Sequence, residues 1–337
     1  VSVIDLLSFK NVRTIAVGRK PTGVAANPAR NEVYVVNTVS DNVSVIDAER
    51  NQVVATLGVH DRPYFIDVSA DGRRGYVANS GSNNVSVLDL EARKVVATIP
   101  VGVRPGLARV SPDGTLVVVS LREQNAVAIL DAVRLRVRAT LDICQAPEDI
   151  AILPDSRKAF IACTGSAQVA AVDLERDAVL ALLDVGKTPI HLALKPDGGQ
   201  LFVSNFDSDT VSDITTTTNE VGGSYLMGTN PVRSIVSADN SLLYVANFGS
   251  DAVAVYSITT GRRLTTVTVG SRPDALALSA SQDFLLVADT RAGDVALIRR
   301  VVREGVPVWA LITMIPVGTE PNQMAVKNFM LKKPPLE

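Results

Sequence analysis

The 337-residue chain has few of the side chains that carry most enzyme chemistry. It holds two histidines, His60 and His191, and two cysteines, Cys144 and Cys163. Two cysteines cannot build a disulfide framework, and with so little histidine they leave little for a soft-metal site. Aromatic residues make up 4%, with Trp309 the only tryptophan. A core must therefore come from small and β-branched side chains, which favour strands. Neither sign of charge dominates, since 33 Lys and Arg oppose 35 Asp and Glu for a formal net charge of −2. That argues against nucleic-acid binding through bulk charge. There is no run of about 18 apolar residues, so no membrane span is expected. No P-loop, dinucleotide fingerprint, HExxH or nucleophile elbow occurs. No leader is visible, and the chain opens at Val1 inside a strand-like pattern, as if an upstream segment preceded it.

What the chain does have is a repeat. Apolar residues make up 47%, enough for a sizeable core. A hydrophobic-Gly-x-x-Pro link recurs, ending at Pro21, Pro63, Pro105, Pro147, Pro189, Pro231, Pro273 and Pro321. The first six intervals are 42 residues and the last is 48. A second box, Tyr34-Val35-Val36-Asn37, returns as Tyr76-Val77-Ala78-Asn79, Phe202-Val203-Ser204-Asn205 and Tyr244-Val245-Ala246-Asn247, with Phe160-Ile161-Ala162-Cys163 as a variant. A third, Val43-Ser44-Val45-Ile46-Asp47, returns at 85–89, 127–131 and 169–173, and opens the chain at 1–5.

Each unit reads as four short strands. Strand A follows the proline, B is the Tyr-Val-Ala-Asn box, C is the Val-Ser-Val-Ile-Asp box, and D is the apolar run before the next link. Alternation with turn signals every 8–12 residues fits an all-β meander. Tandem four-stranded units of about 42 residues are the signature of a β-propeller. The fold class is therefore all-β, a single propeller over 1–337. Its units fall near 21–62, 63–104, 105–146, 147–188, 189–230, 231–272 and 273–320. Residues 1–20 supply strands C and D of a closing blade. Residues 321–337 supply its strand A (321–327) and a short B (329–331). That makes eight blades, with a seven-bladed ring as the alternative.

The Tyr-Val-Ala-Asn boxes, Val-Ser-Val-Ile-Asp strands and Val-Gly-x-x-Pro links resemble the YVTN-repeat β-propeller family over essentially the whole chain. More distant resemblances are to the haem d1-binding propeller of cytochrome cd1 nitrite reductase and to lactonase-type propellers. The resemblance implies an exported protein, periplasmic or at the cell surface, that binds or scaffolds rather than catalyses. It implies no resident cofactor, with d1 haem or another tetrapyrrole as an alternative.

Function belongs on loops presented by the rigid ring. The D→A links and B→C loops share the face that holds the channel mouth. The residues before the link prolines include Arg272, Glu320, Lys20, Arg62 and Arg104, consecutive around the ring. Four of the five are cationic, a basic crescent suited to an anionic small molecule, cofactor or peptide. Arg19, Arg122, Arg233 and Arg291 are placed in nearby loops, and Asp61, Glu148, Asp149 and Asp274 offset them. His191 starts an inner strand. Its surroundings resemble a histidine-bearing strand of the lactonases, which implies a general base in a hydrolase. The lactonase pattern has an acidic residue after the box asparagine, whereas Asn205 is followed by Phe206. His60 takes a link-glycine position and is expected at the mouth, as a ligand contact or a haem ligand.

Cys144 replaces a link glycine and Cys163 a box asparagine, on neighbouring elements of the mouth face. The turn at 154–157 sets Cys163 opposite about Glu148, leaving Cys144 out of register. A disulfide and two buried thiols both remain open. The recurrent box asparagines are read as αL turn closers, and Asp5, Asp47, Asp89, Asp131 and Asp173 as starts of the C→D turns. Repeated residues serve the blade, so breaks in the repeat are the places to search. Two stand out, 212–227 and 299–312 around Trp309.

Overall fold

The computed structural model describes residues 1–303 and 306–328. Thirty strands form eight antiparallel sheets, seven of four strands and one of two. Each four-stranded sheet keeps sequence order. Unit one, for example, runs Pro21–Ala26, Glu32–Asn37, Asn42–Asp47 and Gln52–Gly58. Strand A of each unit packs against strand A of the next. This is an eight-bladed propeller. The only helix among the described residues is a single 3-10 turn at Phe206–Ser208, so none is long and apolar enough to cross a membrane.

The core lies between blades. Second strands such as Leu116–Leu121 are buried along their whole length, while outermost strands such as Arg136–Asp142 alternate between exposed and half-buried. Tyr76, Val87, Val117, Val119 and Leu130 interlock across the contact between units two and three. Each such side chain contributes roughly 1.5–3 kcal/mol. Many modest side chains thus replace the few aromatics that the composition denies.

Seven of the eight link prolines, all but Pro321, start strand A with a bulge. Pro63 faces Asn79, and Phe65, two residues on, faces Ala78. The residue before each proline is left-handed. Lys20, Arg62, Arg104, Ala146, Thr188, Asn230, Arg272 and Glu320 have φ between 50° and 57°. That strained geometry is held by the B→C turn 21 residues back. Asp41, Asn83 and Asp251 accept the backbone N–H of Arg62, Arg104 and Arg272 at 2.8–2.9 Å.

The box asparagines work differently from the expected turn closers. They end strand B outside the left-handed region, as Asn205 shows with φ −100°, and the left-handed residues of the B→C turns are Asp41, Asn83, Asn125, Ala167, Asp209, Asp251 and Gly293. Asn79 Nδ2 instead donates across the hairpin to Asn84 Oδ1 (2.8 Å) and Ser86 Oγ (2.9 Å), and Asn37 repeats this with Asn42 and Ser44. The recurrent aspartates do open the C→D turns. Asp89 Oδ1 accepts the N–H groups of Glu91 and Ala92, and Asp47 those of Glu49 and Arg50.

Ring closure departs from the expected pattern. Ser2–Asp5 and Lys10–Thr14 pair as a two-stranded sheet. Residues 321–327 run through the inner position without forming a ladder. Their expected partner at 329–331 lies outside the described residues. Side chains hold the segment instead. Gln323 Oε1 accepts Val24 N–H (3.4 Å), Lys327 Nζ donates to Asn27 O (2.6 Å), and Thr290 Oγ1 donates to Pro321 O (2.8 Å). Met324 and Val326 pack with Ile4 and Phe9 against Leu286 and Leu297.

Both breaks in the repeat keep the four-stranded blade. Trp309 is buried, donates from Nε1 to Tyr244 Oη at 3.3 Å, and meets that ring edge-on. It anchors the long hairpin Asp294–Arg303/Val306–Pro316 to unit six. In the other break, Asp213 is buried opposite Gly223 and accepts from Gln200 Nε2 at 2.8 Å.

Candidate functional site: the axial channel

The four cationic crescent residues precede the link prolines, and they are exposed. They are not equally free. Arg104 pairs with Glu123, and Arg272 lies over the Phe248 ring at 5.2 Å. Lys20 and Arg62 make no ion pair among the described residues. Glu320 completes the rim as an acid. Arg122 stacks on Tyr64 at 4.7 Å and pairs with Glu148. The crescent is therefore a mixed-charge rim.

His60 is not at the mouth. Its Nε2 lies 3.2 Å from Thr98 Oγ1, on the outermost strand of unit two. The link passes over the outer blade edge there, which puts the ring on the periphery. It cannot ligate a group held at the channel.

Cys144 and Cys163 form a disulfide, with Cα atoms 5.7 Å apart. Cys163 faces Pro147 rather than Glu148, because the bulge shifts the register and the link folds back over strand B. Elsewhere the link glycine sits on the box asparagine. A Cβ at Gly18 or Gly186 would lie 2.7 Å from the Cβ of Asn37 or Asn205. At the link into unit four both partners of that close contact are cysteine.

The chemistry gathers inside the channel. Strand A presents an unpaired sheet edge to the axis, and its N–H groups need acceptors. Side chains two residues after the link proline supply them to the next blade. Asp149 Oδ2 accepts Leu192 N–H at 3.0 Å, and His191 Nδ1 accepts Ser234 N–H at 3.3 Å. Gln323 does the same for Val24, and one layer deeper Asp67 Oδ2 accepts Val110 N–H at 3.0 Å.

His191 is thus a structural acceptor. Burial strips its proton, Asp149 only partly restores it, and Arg233 and Arg109 oppose it further, so its pKa falls to about 4. It is neutral near physiological pH. Because Nδ1 accepts, Nε2 carries the hydrogen and faces Asp149 Oδ2 at 3.7 Å. The lone pair that a general base needs is committed to a backbone amide, and neither histidine is placed to ligate an iron. The residues do not fit a tetrapyrrole held by axial histidine.

Burial pushes Asp149 up, but His191, Arg109, Arg233 and the Leu192 amide outweigh it, and its carboxyl lies below the usual range. Burial raises Asp67 and Glu148, against Arg109 and Arg122 respectively. Arg109 lies 3.6 Å from Asp149 and 3.9 Å from Asp67, and 4.4 Å above the Phe65 ring.

Arg233 is the exception. It belongs to strand A of unit six, Pro231–Val236, and not to a loop. It attracts Glu148, Asp149 and Asp274 at a distance. It makes no ion pair or side-chain hydrogen bond among the described residues. It lines both spaces of the channel. One is a gap of about 40 Å³ on the mouth side, shared with Tyr64, Glu148 and Asp149. The other is a deeper cavity of about 420 Å³ whose charged lining is Arg109 and Arg233, with no carboxylate.

Asp67, Arg109, Asp149 and Arg233 were legible in the sequence. Aligning the units on the link proline and reading two and four residues past it yields them. Reading the residue before the proline leads to the rim instead.

Together these features define a class: an eight-bladed propeller with a polar, arginine-bearing axial cavity. The chain belongs to the YNCE-like β-propeller family, whose model matches residues 25–110 and 98–311. No curated protein sequence matches it. Among solved structures it is similar to a Kuenenia stuttgartiensis hydrazine synthase chain, with 19% identity, TM-score 0.68, and 87% of this chain and 99% of that one covered. It is also similar to the dihydro-heme d1 dehydrogenase NirN in complex with DHE, with 15% identity, TM-score 0.75, and 95% and 72% covered. A third is a functionally unknown protein from Desulfotomaculum acetoxidans, with 16% identity, TM-score 0.65, and 85% and 99% covered. At these identities the likeness is one of fold.

Proposed function

We propose that this propeller is an exported, non-catalytic binding protein that holds an anionic small molecule in its axial cavity. The observation that carries the reading is Arg233, an arginine without an ion-pair partner lining a 420 Å³ cavity that has no carboxylate in its wall. A guanidinium offers a planar fork of donors to a carboxylate or phosphate and keeps its charge at any working pH. Lys20 and Arg62 on the rim steer the anion towards the mouth, an effect that salt screens. The disulfide supports export, since cytosolic thiols are kept reduced. The chemistry of His191 does not support a hydrolase.

Calorimetric titration with benzoate, citrate and phosphate tests the reading. At least one should bind, and Arg233→Gln should weaken it tenfold or more. Arg62→Ala should change mainly the on-rate at low salt. Equal affinity in Arg233→Gln, or no binding by any anion, would refute the site.

A further inference from the structure

We infer that the ligand of the axial cavity is an amphiphilic monoanion, with one carboxylate-like head and an aliphatic or aromatic body. The inference rests on the anion site proposed above and concerns what else the cavity holds. The wall away from Arg233 is made by the far halves of strand A in units five to seven. It presents Leu194, Ile235, Val236 and Leu276, and the closing segment adds Met324. Leu194, Ile235, Leu276 and Met324 all keep part of their surface exposed, although they sit on the innermost strands or the closing segment. Aliphatic surface left uncovered inside a concavity is the usual lining of a small-molecule site.

The charged side chains of the lining are Arg109 and Arg233 alone. Arg109 is held by Asp67 and Asp149, which leaves Arg233 as the single cation free to pair. One unpaired guanidinium matches one anionic head. A polyanion would bring a second charge against the aliphatic wall or against Glu148 and Asp149 in the adjoining gap. The strand edges add direction. By the repeat, the N–H three residues after each link proline points to the axis. Leu192, Ser234 and Val24 have theirs capped by Asp149, His191 and Gln323. At Leu276 the preceding blade supplies Arg233, a donor, so this N–H has no side-chain acceptor. Leu276 lines the same cavity as Arg233, so this N–H is a second donor for the same head in the proposed complex.

Titration of the 337-residue chain with octanoate, acetate, phosphate and octylamine separates the alternatives. Each buried methylene tightens binding about fourfold. Octanoate should therefore bind at least tenfold tighter than acetate or phosphate, and octylamine should not bind. Arg233→Gln should cost octanoate tenfold or more. Leu276→Asp, which puts a carboxylate in the apolar wall, should abolish octanoate binding while leaving the thermal transition cooperative. It also serves as the test if Arg233→Gln does not fold. If phosphate or acetate matches octanoate and still depends on Arg233, the amphiphile is wrong and the anion site stands. If no anion responds to Arg233→Gln, both fall.

Discussion

At the residue scale, two buried groups make the stability of this ring depend on pH in opposite directions. His191 has a folded pKa of about 4 against an ordinary 6.5. Between those values the unfolded chain binds a proton that the folded chain does not, so stability falls as pH drops from about 6.5 to about 4, by up to roughly 3 kcal/mol. His191→Gln should flatten that slope in urea melts, because an amide oxygen can accept from Ser234 as Gln323 does from Val24. Asp289 takes the box-asparagine place in unit seven and faces Asp294 across the hairpin. Burial, followed by the hydrogen bond with Asp294, raises it to about 8. One proton must sit between the two carboxyls, where Asn79 needs none to reach Asn84. A raised carboxyl is the converse case. Its contribution is present at low pH and is lost as pH rises towards about 8. Asp289→Asn should thus stabilise the protein at alkaline pH, by about 1–3 kcal/mol. A melting temperature that is unchanged at pH 9 would contradict the shared proton.

At the element scale, the link and strand B form one recurring contact, glycine on asparagine, and unit four replaces it with a disulfide. The cysteines are 19 residues apart, so the bond removes about 3 kcal/mol of loop entropy from the unfolded chain. Cys144→Ala/Cys163→Ala should lose about that much. Cys144→Gly/Cys163→Asn should recover part of it, because it restores the contact of units one and five. Equal stability of the two double variants would refute the equivalence. Much of this was legible in sequence. The substitution of both positions of one link and the strand B that follows it marks them as partners. The register did not show it, because each strand A carries a bulge that a count of residues along a hairpin cannot include. The same holds for the break at 299–312. Its extra length is visible, but that Trp309 turns inward to Tyr244 depends on the neighbouring blade.

At the scale of the whole molecule, the 42-residue period made the eight-bladed ring readable, and the ends supply the closing blade as two strands and a side-chain-held segment. The candidate site was only half readable. Charge next to the prolines drew attention to the rim, where Arg104 and Arg272 are already engaged by Glu123 and Phe248. The channel residues are scattered singly over four units, and only the closed ring brings Asp67, Arg109, Asp149 and Arg233 together. The central claim is that Arg233 holds an anion in the axial cavity. The most direct test is a crystal soaked with p-iodobenzoate and measured for anomalous scattering of iodine. The account predicts an iodine peak against the aliphatic wall near Leu276, with the carboxylate on Arg233, and its absence in Arg233→Gln. Iodine found only at the rim beside Lys20 or Arg62, or an unchanged peak in the variant, would contradict it.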